Sequence, residues 1–290
     1  MVHHLVVIGM QIKINVYLHR IKLLNINKDI IISLFMVKLS RSDLIKIYED
    51  TLNYGKEVIE INENHRSYKL KFINDEICDK FQKAYNKTNI RVENCDVIES
   101  IINLNDQSPS NKNNKMLVLN LASDKHYGGG VENGAMAQEE ELFRKTDYGN
   151  HDGKGLYPLG KNEFVYTPCV YVIKDSNYRQ LKTKDFIPFD GLAIAGIRKP
   201  ILINGRLNEN DYELTKQKIE TIFKFAIYNK NTNLVLGALG CGVFCNPPED
   251  IVEIYNYCLQ KYDGYFENIV FSVLSINNDN YKIFNENIIR

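Results

Sequence analysis

Apolar positions along this chain change period several times, and each change marks an element. Residues 40–54 set Leu44, Ile45, Ile47, Tyr48 and Leu52 at mostly helical spacing, with Ser40 or Ser42 as the N-cap. Strand-like segments follow at 57–61 and 68–72. Residues 105–115 (NDQSPSNKNNK) are polar, contain Pro109 and lack periodicity, so they read as a surface loop feeding the apolar run 116–121. A helix is expected from near Ala135, and short apolar runs at 164–174 and 192–197 suit buried strands. Residues 214–228 place Ile219, Ile222, Phe223 and Ala226 on one helical face. The next strand is 234–236, and Pro247-Pro248 stop the loop after it. Glu249-Asp250 open a helix through about Tyr262 with Ile251, Tyr255, Cys258 and Leu259 inward, and 269–274 is a last strand. Alternating strands and helices predict one three-layer α/β/α domain with no internal repeat.

Composition fits that picture. At 290 residues, 44% hydrophobic and 25% charged, the chain has the makeup of an ordinary globular protein with one large core or two modest ones. Lys plus Arg equals Asp plus Glu at 36 each, so no global positive charge draws it to duplex nucleic acid. The six cysteines lack zinc-finger spacing, and free thiols in a reducing compartment are expected, intracellular in either cytoplasm or nucleus. No apolar run before Met36 is long enough to span a bilayer, and no secretory signal pattern is present. Residues 1–35 read as a leader or poorly ordered extension, with an added strand and short helix as the competing reading.

The chemistry concentrates at 116–148. The apolar strand runs into a triple glycine, Gly128, Gly129 and Gly130, and seven residues later Gln138-Glu139-Glu140 open a helix. Glycines let backbone N–H groups approach a ligand without a Cβ in the way, although a plain tight turn accounts for the loop equally well. Neither a Walker loop nor a G-x-G-x-x-G fingerprint is present. Acidic residues favour helix N-termini and are often merely solvated there. A phosphate site alone would seldom place carboxylates beside the loop, whereas glycosidic cleavage needs a proton donor and acceptor. Successive helical residues point about 100° apart, so Glu139, Glu140 and Glu141 do not all face one pocket.

The spacing GGG-x7-QEE resembles that of the microbial-type poly(ADP-ribose) glycohydrolase catalytic domain, a relative of the macrodomains, and LVLGALGCGVFCNPP at 234–248 resembles its diphosphate-binding loop. The likeness runs from about Val37 to the C-terminus, making 36–290 the catalytic domain. It implies a macrodomain-like fold with a mixed central sheet. It also implies that Glu140 is the catalytic glutamate, that Glu139 positions the substrate ribose and that Asn120 contacts the terminal ribose. Ser123, Gln138 and the glycine loop would bind substrate. Ala238, Leu239, Gly240, Cys241, Gly242 and Val243 would wrap the diphosphate, and Phe244 would pack on the distal ribose. Glu141 would point to solvent. Departures are His126-Tyr127 where relatives often carry Asn-Pro, Leu121 where Phe is usual, and Leu239 where Trp is common.

The activity so implied is hydrolysis of ribose–ribose bonds in poly(ADP-ribose), releasing ADP-ribose without a metal or cofactor. The two carboxylates would oppose each other's ionisation and keep one protonated. The partners implied are the polymer or an ADP-ribosylated protein, with no membrane. Two alternatives stand beside this reading, a non-hydrolytic ADP-ribose-binding module and a hydrolase of mono-ADP-ribose conjugates. The acid pair and Gln138 argue against the first.

Overall fold

The computed structural model describes residues 39–59, 66–72, 80–107, 115–276 and 278–290. The chain divides into two units, Met1–Ser40 and Arg41–Arg290, and the second carries the architecture that follows. The leader expected at 1–35 lies outside the described residues.

Helix α1 (Arg41–Ile59) opens this unit, followed by β1 (Tyr68–Lys71), β2 (Asn89–Glu93) and α2 (Val97–Gln107). Then come β3 (Met116–Leu121), α3 (Gln138–Lys145), β4 (Glu163–Val172) and β5 (Ile187–Ile194). A small hairpin, β6 (Leu202–Ile203) and β7 (Arg206–Leu207), precedes α4 (Glu209–Tyr228). The chain ends with β8 (Asn233–Leu236), α5 (Pro248–Lys261), β9 (Asn268–Ser272) and α6 (Asn280–Asn287).

Seven strands form one sheet in the order β1-β4-β5-β3-β8-β9-β2. From β5 to β2 every pairing is parallel, while β4 runs antiparallel to β5 and β1 antiparallel to β4. The sheet is therefore mixed, as expected. Side-chain alternation assigns its two faces. Leu117, Leu119, Leu234, Leu236, Ile269 and Phe271 pack with Ile222 and Phe223 of α4, Ile251 and Tyr255 of α5, and Phe284 of α6. Met116, Val118, Val235 and Val270 pack with Tyr48 of α1, Ile98 and Ile101 of α2, and Leu142 and Phe143 of α3. Each of these buried aliphatic and aromatic side chains contributes roughly 1.5–3 kcal/mol relative to exposure. The result is the three-layer α/β/α arrangement.

Several elements differ from the periodicity. The helix expected to end at Tyr54 continues to Ile59, so 57–59 is helix rather than strand. Helix α2, not among the expected elements, runs to Gln107, so the first three residues of the expected loop are helical and 108–114 lie outside the described residues. Strand β5 occupies Ile187–Ile194 rather than 192–197, because Ala195 and Gly196 leave the ladder to form the rim of the site. Helix α4 starts at Glu209, where the Asn208 side chain accepts from the Asp211 amide as an N-cap.

Candidate active site

Strands β3, β5 and β8 lie side by side and parallel, so their C-terminal ends open at one edge of the sheet. Ligands bind at this edge in open α/β sheets. Pairing of β3 with β8 ends at Val118, and the next backbone groups of β3 are taken by a side chain. Gln138 Oε1 accepts from the Leu121 amide at 2.9 Å, and its Nε2 donates to the Leu119 carbonyl at 2.6 Å. Gln138 thereby continues the ladder and fixes α3 against β3. Expected as a substrate contact, it has both ends of its amide engaged on the strand.

That attachment brings the first turn of α3 over the strand end. Asn120, wholly buried, donates from Nδ2 to Glu139 Oε1 at 3.4 Å. The Ser123 amide donates to Glu139 Oε2 at 2.7 Å. Ser123 Oγ accepts from the amides of Lys125 and His126 and shapes the start of the loop, while the His126 side chain is exposed. Glu140 Oε1 accepts from the Gly130 amide at 2.8 Å. Both carboxylates are almost fully buried, 3% exposed for Glu139 and 6% for Glu140. Among the described residues, Glu140 Oε2 and Asn120 Oδ1 are buried acceptors without a hydrogen-bond partner.

The glycine loop closes on this pair. Gly129 has φ +59°, and a Cβ there would lie 2.5 Å from Glu140 Oε1 and 2.8 Å from Glu139 Oε2. The two carboxylates converge on one backbone position that only glycine can occupy. The loop was expected to turn its amides toward a ligand. Instead the Gly129 amide donates to His126 O, closing the turn, and the Gly130 amide donates to Glu140 and holds that acid in place.

Burial, reinforced by the charge of Glu140, pushes the Glu139 carboxyl up to about 8 against the opposing hydrogen bonds from Ser123, Asn120 and Gly128. Burial thus favours the neutral form of the Glu139 carboxyl. Glu141, expected in solvent, faces the opposite side of α3. It pairs with Arg144 at 3.0 Å and Lys145 at 2.9 Å and accepts from the Tyr178 hydroxyl. Arg144 donates from Nη2 to Ala135 O and from Nε to Leu44 O, clamping the turn before α3 against α1. A basic i+3 and i+4 pair at the end of a short acidic helix was the readable signal for this network.

The second loop, between β8 and α5, meets the first at the same edge. Its backbone is fastened by Asn246, whose Nδ2 donates to Ile197 O at 2.6 Å and Gly240 O at 3.1 Å. Gly240, at φ +75°, packs so closely that a Cβ on Gly196 would come 2.8 Å from its Cα. Gly242 and Val243 are exposed and Phe244 half-buried. Leu239 is 1% exposed and belongs to the α4–α5 core, so its side chain fills the interior instead of touching a ligand. Burial pushes the Cys241 thiol far up, which leaves it neutral. Two residues missed by sequence reasoning join the loops. Arg198 donates to Asp124 through Nε, at 3.1 Å, and Nη2, and its guanidinium lies 4.2 Å from the Phe244 ring centroid.

The fold is similar to that of solved poly(ADP-ribose) glycohydrolases, and part of the chain matches a family model of the same type. Residues 44–175 match the family model described as the catalytic domain of microbial-type PARG. Solved structures extend the likeness in fold. The poly(ADP-ribose) glycohydrolase of Thermomonospora curvata aligns with TM-score 0.65 and 21% identity over 83% of this chain and 100% of its own. That of Deinococcus radiodurans in complex with ADP-ribose gives TM-score 0.65 and 20% identity over 76% and 93%. The Thermomonospora enzyme bound to the inhibitor ADP-HPD gives 0.61 and 22% over 81% and 98%. Among curated protein sequences none matches. No described helix is long and apolar enough to cross a membrane.

Proposed function

We propose that this chain is a glycosidase that hydrolyses the ribose–ribose bonds of poly(ADP-ribose) and releases ADP-ribose. The observation that carries the reading is the convergence of two buried carboxylates on Gly129, with Glu140 Oε2 committed to no protein group among those described. Glu140 Oε1 is held by the Gly130 amide, so Oε2 is the atom that protonates the leaving 2′ oxygen and then takes a proton from the attacking water. Glu139, whose carboxyl burial pushes up to about 8, offers a hydroxyl donor to a ribose hydroxyl. Asn120 Oδ1 accepts from the same sugar. The loop at 238–244 holds the diphosphate on its backbone, with Phe244 against the distal ribose.

The family match over residues 44–175 supports this reading, as does the fold shared with glycohydrolases solved with ADP-ribose and with ADP-HPD. The catalytic unit is taken as 36–290, with poly(ADP-ribose) or an ADP-ribosylated protein as the partner. The five described cysteines are free thiols, which fits an intracellular setting, cytoplasmic or nuclear.

Product analysis with defined poly(ADP-ribose) and with mono-modified protein tests the proposal. Release of ADP-ribose from the polymer is expected, and Glu140→Gln should lower turnover by about 10²–10⁴-fold or more while ADP-ribose still binds. A fully active Glu140→Gln variant rules out the assigned acid. Release from the mono-modified substrate alone changes the substrate, and binding without release from either makes the chain a reader.

A further inference from the structure

The loop after β3 carries the residues that hold the acids, and the loop after β8 carries those expected to hold the diphosphate. Besides the strands themselves, a strap of three side chains runs between them. Asp124 directly follows Ser123, whose amide fixes Glu139, and the Asp124 carbonyl accepts from the Leu159 amide at 2.8 Å. Arg198 follows the rim glycine Gly196 and donates to Asp124 Oδ1 through two nitrogens. Its guanidinium covers the Phe244 ring at 4.2 Å, and the neighbouring Lys199 amide donates to the Phe244 carbonyl at 2.8 Å. Phe244 is thus held on its ring and on its backbone by one dipeptide.

We propose that Arg198 is a positioning residue for the ligand, setting the place of Phe244 relative to the carboxylate pair through Asp124. The inference rests on the functional reading above. A planar guanidinium fits both roles at once, since its edge donates in a fork and its face lies on an aromatic ring. A surface ion pair alone would contribute little, and Arg198 and Asp124 are 39% and 32% exposed in their side chains. The strap acts instead by restricting where an aromatic side chain in an exposed loop can go. Burial acts to raise the Asp124 carboxyl, yet the Arg198 hydrogen bond and charge bring it below the ordinary range, so the pair is ionised wherever the protein works. Removing the strap should therefore loosen ground-state binding of the ADP-ribose unit and leave the acid–base step alone.

ADP-ribose titration and steady-state hydrolysis on the full chain test this, with wild type, Arg198→Ala, Arg198→Lys, Asp124→Asn and the double variant Arg198→Ala/Asp124→Asn. Arg198→Ala should weaken ADP-ribose binding and raise KM by about tenfold, with kcat within about twofold. Arg198→Lys should recover only part of the loss, because an ammonium cannot fork and stack together. The double variant should bind no worse than Arg198→Ala, since both changes cut one strap. Wild-type affinity in Arg198→Ala, or losses that multiply in the double variant, would overturn the inference while the functional reading stands. If Arg198→Ala fails to fold, the affinity of Arg198→Lys and Asp124→Asn decides in the same way. A wild type that binds no ADP-ribose removes the functional reading, and the inference with it.

Discussion

The two loops at the C-terminal edge of the sheet are built by opposite means. In the first, side chains make the structure. Glu139 and Glu140 are buried, each is tied to a backbone amide, and Gln138 stitches their helix into the β-ladder. In the second, backbone packing makes the structure, with Gly240 against Gly196 and Asn246 donating to three carbonyls, while Gly242 and Val243 stand in solvent. Proton transfer needs atoms fixed within a hydrogen-bond length in a dry setting, and the first loop supplies that. Holding a diphosphate, the role proposed for the second loop, needs backbone amides and room. In the proposed reaction, rigidity is concentrated where bonds are to change.

Glycine replacement should separate the loops most sharply. Gly129→Ala meets both carboxylates and a left-handed backbone, so a loss of roughly 2–5 kcal/mol in unfolding free energy or a collapse of turnover is expected. A denaturation curve with parallel hydrolysis assays decides it, and a stable, active variant would mean that the carboxylates do not converge as described. The pH dependence of stability comes next. The folded-state pKa of Glu139 is raised, so its contribution is fully present below the unfolded value near 4.5 and is lost as pH rises through about 8. The slope between them is at most about 1.4 kcal/mol per pH unit. Chemical denaturation from pH 5 to 9 should show this decline in the wild type and not in Glu139→Gln; equal slopes would remove the neutral Glu139.

In the second loop, Asn246→Ala removes the side-chain donor to the Ile197 carbonyl, while Gly240 O keeps the Asn246 amide, and should cost about 1–3 kcal/mol. Its affinity for ADP-ribose should fall more than kcat, and the reverse pattern would contradict the division between the loops. Smallest of all, Gly242→Ala finds nothing within 4 Å of its Cβ and should change stability by less than about 0.5 kcal/mol. A large loss there would mean that the second loop is as tightly built as the first.

The same division governs what the sequence reveals. The first loop is legible because strand, glycines and acids lie within one local stretch whose period and residue types carry the information. Even there, the direction of Glu141 is lost. Its partners include Tyr178, far along the chain, and a carboxylate in a first helical turn looks alike whether solvated or paired. Arg198 left no local mark, because its partner Asp124 is 74 residues away and its ring partner lies on another loop. Leu239 sits in a glycine-rich run that looks like ligand loop throughout, yet one side chain of that run turns into the core. Other elements do carry a local mark. Helix α2 has Val97, Ile98, Ile101 and Leu104 on one face and Asp96 capping the Glu99 amide. Asn204-Gly205, with φ of +52° and +79°, is the dipeptide a two-residue hairpin turn demands. Strand β2 is harder, being a short edge strand that is only partly buried and so lacks a clean alternation.

The contact of Gly196 with Gly240 has a consequence for how such a protein can vary. The spacing between the ends of β5 and β8 is set where the two backbone segments touch, with the Asn246 amide bridging the carbonyls beside the contact. Changes at Val243, Phe244 or Arg198 can therefore retune what surrounds a ligand in small increments. The gap itself admits no such gradation, because the smallest possible substitution at Gly196 already places a carbon 2.8 Å from the facing Cα. Diversification along this rim is thus continuous in surface chemistry and stepwise in width, and a relative with a wider cleft would have to rebuild both loops together.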